Sequence, residues 1–391
     1  MYASVQPLDV EAATPAAEKS SSRRRRGVLI WGLAVAAWCV AGVGFYRVAA
    51  WRRRPSGLLL FDDFDGDAVD EGVWTVERSL DSGGNGEFQA YTDDPDVIAV
   101  RDGKLVIQPR PMTSEHWKWL TRGIAPKDVR AALADGSSLK VARCTADDAP
   151  GLCEHASKWD EPLPPVVSAK LTTRDKFSFR YGTAEIRLRV PVGDWIWPAI
   201  WMLPADDAYG PWPLSGEIDL LEARGNNESY RVEGSDQSGF AGVDRIAATV
   251  HCADSQGGDD FSIGNTTIHG LEDDEGFITI GMEWRRDALI TYARETNGAR
   301  RVLATSRGPA CANDVYRGGS PFDRDFYLII NVAVGGSAGG AVPYWGSEVF
   351  WRDCDHPHFC DPRTLFADRA AAWLPTWTRP LEVDWLRVTR D

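Results

Sequence analysis

Three acids fall within six residues in the stretch Gly216-Glu-Ile-Asp-Leu-Leu-Glu222, interleaved with Ile218, Leu220 and Leu221. In a strand, side chains alternate between faces, so Glu217 and Asp219 share one face while Ile218 and Leu220 take the other. Strict alternation then sends Glu222 inward with the hydrophobic residues. A β-bulge at Leu220 and Leu221 removes the conflict, because two residues opposing one on the next strand return Glu222 to the face of Glu217 and Asp219. Like charges at such range repel, so the arrangement is costly. A solvent-exposed acidic edge is one account of it. The apolar, glycine-bearing flanks and the Trp- and Pro-rich neighbouring segments speak for another. Two carboxyl groups flanking a glycosidic bond perform retaining hydrolysis, one as nucleophile and one as acid and base. On that account Glu217 is the ionised nucleophile and Glu222 the protonated acid. Asp219 shares a proton with the nucleophile and separates the two pKa values.

The elements that must hold such a strand recur along the chain. Short apolar runs broken by Gly, Pro, Asn and Asp include Lys104–Ile107, Thr183–Val190, Arg245–His251, Phe277–Met282, Ala288–Ala293, Tyr327–Val334 and Val383–Val388. This spacing predicts an all-β sandwich or barrel. Thr183–Val190 sets Ala184, Ile186, Leu188 and Val190 against Glu185, Arg187 and Arg189. Tyr327–Val334 has almost no polar face, as a central strand between packed layers requires. No helix and no fixed-period repeat stands out, and residues 110–165 read as an irregular insertion. Core runs lie on both sides of it, so 58–391 is read as one domain.

Ahead of that domain, residues 28–46 carry no charge. Nineteen residues at a helical rise nearly match a bilayer core. The expectation is a tail over 1–27, a signal-anchor over 28–50 and a linker over 51–57, with the rival a cleaved signal peptide. Six of the seven cysteines follow the anchor, as do sequons at Asn227 and Asn265, which suits an oxidising lumen or the cell exterior. Six cysteines allow fifteen pairings; the expected one is Cys144–Cys153, Cys252–Cys311 and Cys354–Cys360. Residues 1–54 are basic, leaving 34 Lys+Arg against 54 Asp+Glu and a net of −20 in the remainder. A domain that acidic has no electrostatic footprint for nucleic acid and suits a neutral ligand.

The acidic stretch is similar to the catalytic motif of glycoside hydrolase family 16, in the bulged E-x-D-x-x-E form of laminarinases. The similarity extends over 58–391. It includes Phe61-Asp-Asp-Phe64, Gly83-Gly-Asn-Gly-Glu-Phe-Gln-Ala-Tyr91 and Tyr181-Gly-Thr-Ala-Glu-Ile-Arg187. Trp197-Pro-Ala-Ile-Trp-Met-Leu-Pro204, Thr249-Val-His251 and Ile330-Asn-Val-Ala-Val-Gly-Gly336 continue it in order. Leu163-Pro-Pro-Val-Val-Ser-Ala169 and Tyr209-Gly-Pro-Trp-Pro213 resemble the invertebrate-type β-1,3-glucan-binding proteins, many of which lack the catalytic acids. Here all three acids are present, whereas a separate N-terminal glucan-binding module is not seen.

The resemblance implies a concanavalin-like jelly roll with a concave cleft and a retaining endo-β-1,3-glucanase. A non-catalytic β-glucan receptor and a glucan transglycosylase are the alternatives. Trp195, Trp197, Trp201 and Trp212 bracket the acidic strand; Trp faces stack on pyranose rings, though a sandwich also uses Trp in its core. Arg187 either orients a carboxylate or sugar hydroxyl or is a surface residue. His251 is either a cleft residue or a structural one, and Asn85 and Glu87 lie in a turn resembling the family's sugar-contacting loop. No cofactor is required; a structural calcium site at Asp62 and Asp384 is a further implication.

Overall fold

The computed structural model describes residues 57–80, 83–146, 151–158, 161–230, 242–253, 258–307, 321–336, 349–351 and 361–390. The expected tail, anchor and linker up to residue 56 lie outside these, as do Cys311, Cys354 and Cys360. Among the described residues no helix is long and apolar enough to cross a membrane.

Alternating patterns become strands throughout. In chain order the first are β1 (Leu58–Asp62), β2 (Thr75–Val76), β3 (Gln89–Tyr91), β4 (Ile98–Arg101) and β5 (Lys104–Ile107). Next come β6 (Arg110–Pro111), β7 (Ser138–Lys140), β8 (Glu154–Ala156), β9 (Val166–Ser168) and β10 (Lys170–Thr172). The longer strands follow as β11 (Gly182–Arg189), β12 (Ile196–Pro204), β13 (Glu217–Ala223), β14 (Arg245–Ala253) and β15 (Asp259–Thr267). The last are β16 (Ile278–Arg285), β17 (Ala288–Arg294), β18 (Arg300–Arg307), β19 (Phe326–Val334) and β20 (Leu381–Thr389).

Two antiparallel sheets carry the sandwich. One runs β18-β17-β16-β11-β20-β5-β4, with β1 also on β20; the other runs β15-β14-β13-β12-β19-β10-β2. Inward residues of both sheets share one core, including Ile186, Leu188, Ile280 and Met282 from the first and Ile200, Met202, Ile218 and Leu328 from the second. As its composition predicts, β19 is buried along its whole length, between β12 and β10. The fold expectation of an all-β sandwich therefore holds.

Two expectations change. Short helices are present: α1 (Ser114–Thr121) and α2 (Val129–Ala132) in the insertion, and α3 (Pro362–Asp368) and α4 (Ala370–Trp373) before β20. At four to eight residues they are too short for a helical period to show in sequence. Local caps start three of them, with Thr113, Asp128 and Asp361 side chains accepting from backbone N–H groups of the first turn. The insertion, expected to be irregular, carries the short strands β6, β7 and β8 and is tied to the rest of the domain. Buried Arg78 donates to the carbonyls of Ala142, Trp119 and Leu120 and pairs with Asp93. The expected Cys144–Cys153 disulfide is present, with a Cα–Cα distance of 5.6 Å. Cys252 is disulfide-bonded as well, but its expected partner is outside the described residues.

Candidate active site

The bulge in β13 decides where the acids point. Asp219 lies opposite Thr249 and Glu222 opposite Ala247, so Leu220 and Leu221 together face the single residue Ala248. The β12 side shows the same slip, with Trp201 opposite Asp219 and Ala199 opposite Glu222. Ile218, Leu220 and Leu221 are buried in the core, while Glu217 and Glu222 reach the opposite, open face. Gly216, immediately before the strand, has φ +84°, and a Cβ there would also meet Phe322 at 2.9 Å. The turn into Glu217 thus requires glycine.

That open face forms a cleft of about 790 Å³. Glu217, Asp219, Glu222, Trp197, Trp201, Trp212, Asn85 and Glu87 all line it. Indole N–H groups hold both outer acids. Trp212 Nε1 donates to Glu217 at 2.8 Å, and Trp197 Nε1 donates to Glu222 at 2.9 Å. Thr249 Oγ1 reaches the second Glu222 oxygen at 3.4 Å. Trp201 Nε1 instead donates to Asn331 at 2.7 Å, and Asn331 donates to the Tyr91 hydroxyl at 3.0 Å. Trp212 is about half exposed at the rim, a large aromatic face open to a ligand.

His251 sits opposite Glu217 on β14, with Nε2 3.3 Å from Asp219 and Nδ1 2.9 Å from Asp259. A carboxylate oxygen from each of Glu217 and Asp219 and a ring nitrogen of His251 lie within 4.8 Å of one another. Burial pulls the imidazole pKa down, but the hydrogen bonds to Asp219 and Asp259 and the charge of Glu217 outweigh it, raising it to about 11. The same three groups have metal-ligand spacing, and a carboxylate beside each ring nitrogen also suits an imidazolium that donates from both. Burial, then the neighbouring Asp219, lifts Glu217 well above the usual carboxylate range, with His251 opposing. Burial likewise lifts Asp219, to about 6, against its hydrogen bonds to His251 and Glu217. The surroundings therefore shift Glu217 toward its protonated form, where the motif alone suggests an ionised group. Glu217, Asp219 and Asp259 thus surround one cation at His251.

Two expected binding residues lie elsewhere. Trp195 has the same parity as Trp197 and Trp201, but its φ of +69° turns it off the strand alternation. It packs edge-on against Trp351, Tyr230 and Phe350 in a second aromatic cluster. Arg187 is on β11, in the other sheet, where it bonds Asp273, Glu275 and Asp384. Asp384 is thereby committed to a guanidinium, and Asp62 accepts from Phe64 N and the Trp74 indole. The sequence reading passed over Asn331 and Asp259. Asn331 had a signal, as a lone amide in an apolar run; Asp259 had none, because only sheet pairing brings it to His251.

An antiparallel sandwich with paired carboxylates and indoles on one open sheet face is the architecture of a carbohydrate-active protein. No family model matches the chain. It is 31% identical over 361 residues to a β-1,3-glucan-binding protein of Penaeus monodon, covering 85% of this chain and 89% of that one. It is 29% identical over 308 residues to glucan endo-1,3-β-glucosidase A1 of Niallia circulans, covering 73% of this chain but 35% of that longer protein. The laminarinase structure from Rhodothermus marinus matches with a TM-score of 0.52 at 24% identity, over 85% of this chain and 97% of that one, a likeness of fold. The chain belongs to glycoside hydrolase family 16, in the group that holds β-1,3-glucan-binding proteins and laminarinases.

Proposed function

We propose that the protein is a retaining endo-hydrolase of β-1,3-glucan. The observation that carries this is the bulged strand β13, which presents Glu217, Asp219 and Glu222 together on the cleft face between two indole donors. Glu217 attacks the anomeric carbon once its proton has left, and Glu222 protonates the departing oxygen. In the second half-reaction Glu222 takes a proton from water as it attacks the glycosyl-enzyme bond, and Glu217 is released. Asp219, hydrogen-bonded to Glu217, takes the proton that Glu217 gives up as it attacks and returns it when Glu217 is released. Trp197 orients Glu222 and Trp212 orients Glu217, so both indoles serve chemistry as well as stacking. Residues from β10, β19, β12 and β13 line the cleft in succession, which suits internal attack on a polymer lying across the sheet. The Cys144–Cys153 disulfide fits an oxidising compartment, where the apolar stretch 28–46 would anchor the domain.

The test is release of reducing sugar from laminarin by the purified protein and by Glu217→Gln. Hydrolysis by the wild type and none by the variant is expected; turnover that survives in Glu217→Gln removes Glu217 from its role. Glucan recognition without hydrolysis is the second reading, favoured by the name of the Penaeus monodon relative. It predicts laminarin binding with no sugar released by the wild type.

A further inference from the structure

His251 is held from both sides. Its Nδ1 lies 2.9 and 3.1 Å from the two oxygens of Asp259, while Nε2 lies 3.3 Å from Asp219. A neutral imidazole has one N–H and can donate to one carboxylate only; a carboxylate on each nitrogen fits an imidazolium donating twice. Among the described residues, the charged groups facing the ring are Glu217 and Asp219 from β13 and Asp259 from β15. The Trp212 ring lies 6.0 Å away on the loop before β13. Asp259 opens β15, an edge strand, and is not among the residues that line the cleft. Its route to the reacting carboxylates runs through the imidazole.

We propose that Asp259 is a positioning residue that clamps His251 as a cation, with its Nε2–H aimed at the Glu217–Asp219 pair. The clamp rests on these hydrogen bonds; its effect on rate rests on the hydrolytic reading above. A fixed cation beside two carboxylates reduces the repulsion that keeps a proton on Glu217. Without Asp259 the ring loses one of the two anions that hold it charged and the contact that fixes its rotation. Neutral His251 would leave Glu217 protonated to higher pH.

The experiment compares wild type, Asp259→Asn and Asp259→Glu as full-length proteins labelled with ¹⁵N-histidine. The chain has six histidines, and His251→Gln identifies the signal. Ring-nitrogen shifts should show an imidazolium at His251 in wild type, a neutral ring at a lower pH in Asp259→Asn, and recovery in Asp259→Glu. On laminarin, Asp259→Asn should lose roughly ten-fold in kcat, less than the 10²–10⁴-fold typical of an acid or base itself, with KM unchanged. The acid limb of its kcat/KM profile should move to higher pH and return in Asp259→Glu. An Asp259→Asn protein with an unaltered His251 titration and an unmoved pH profile overturns the proposal. Loss of activity that Asp259→Glu does not restore, with the His251 signal intact, overturns it too. A wild type that shows the imidazolium but releases no sugar upholds the clamp and removes the hydrolytic reading, so the two failures are separable.

Discussion

The two sheets each gather carboxylates, and they treat them in opposite ways. On the β11 sheet, Glu185 is almost wholly buried, yet Arg294 and Arg387 both pair with it and the Tyr292 hydroxyl donates at 2.9 Å. Burial alone would raise its pKa, but these partners overcome it and leave the group below the usual range. On the β13 sheet, three carboxylates share one imidazolium, and both Glu217 and Asp219 are pushed up. Where the protein needs a rigid layer, it over-supplies cations. Where it can do chemistry, it under-supplies them and keeps a proton poised.

Substitutions in the two clusters should separate rate from stability. Glu222→Gln should lower the rate of laminarin hydrolysis by roughly 10²–10⁴-fold, as loss of an acid-base group does. Its unfolding transition should stay close to wild type. Activated aryl glycosides, whose leaving group needs no proton, should lose less; equal loss on both substrates breaks the acid assignment. Glu185→Gln should do the reverse. It leaves two part-exposed guanidinium groups beside a buried amide, and the loss of their charge-assisted hydrogen bonds should cost about 1.5–3 kcal/mol. Denaturant unfolding should show that loss, while kcat on laminarin per folded molecule stays unchanged.

The smallest effect is the most diagnostic. Glu217 has a folded-state pKa above its ordinary value of 4.5, so the folded state binds its proton more tightly than the unfolded chain does. Stability from this group is therefore complete below about pH 4.5 and falls as pH rises toward the folded-state value. Glu217→Gln should raise stability at neutral pH by roughly 0.5–2 kcal/mol, the range common for relieving a functional site. The gain should vanish in acid. A destabilised Glu217→Gln at neutral pH would mean that the charge deficit in the cleft is not real.

Much of this was legible in the residues. Alternating runs give the strands, and an apolar β19 reads as central because no polar face remains for water. The spacing of Glu217, Asp219 and Glu222 requires a bulge, since alternation otherwise buries a charge. Arg187 shows where such reading stops. Parity says that a side chain leaves the core, but not from which sheet, and Arg187 leaves from the one without the cleft. Trp195 shows a second limit, because one left-handed residue at the start of β12 cancels the face that its number implies.

The sequence by itself determined the sandwich, the bulged acidic strand and the indoles beside it, because each follows from local periodicity and side-chain chemistry. The tertiary structure decided which charges compensate one another. Electrostatic balance depends on distances across strands far apart in the chain: Asp259 with His251 and Asp219, Arg294 and Arg387 with Glu185. No local pattern encodes those distances, and they set which carboxylate keeps its proton.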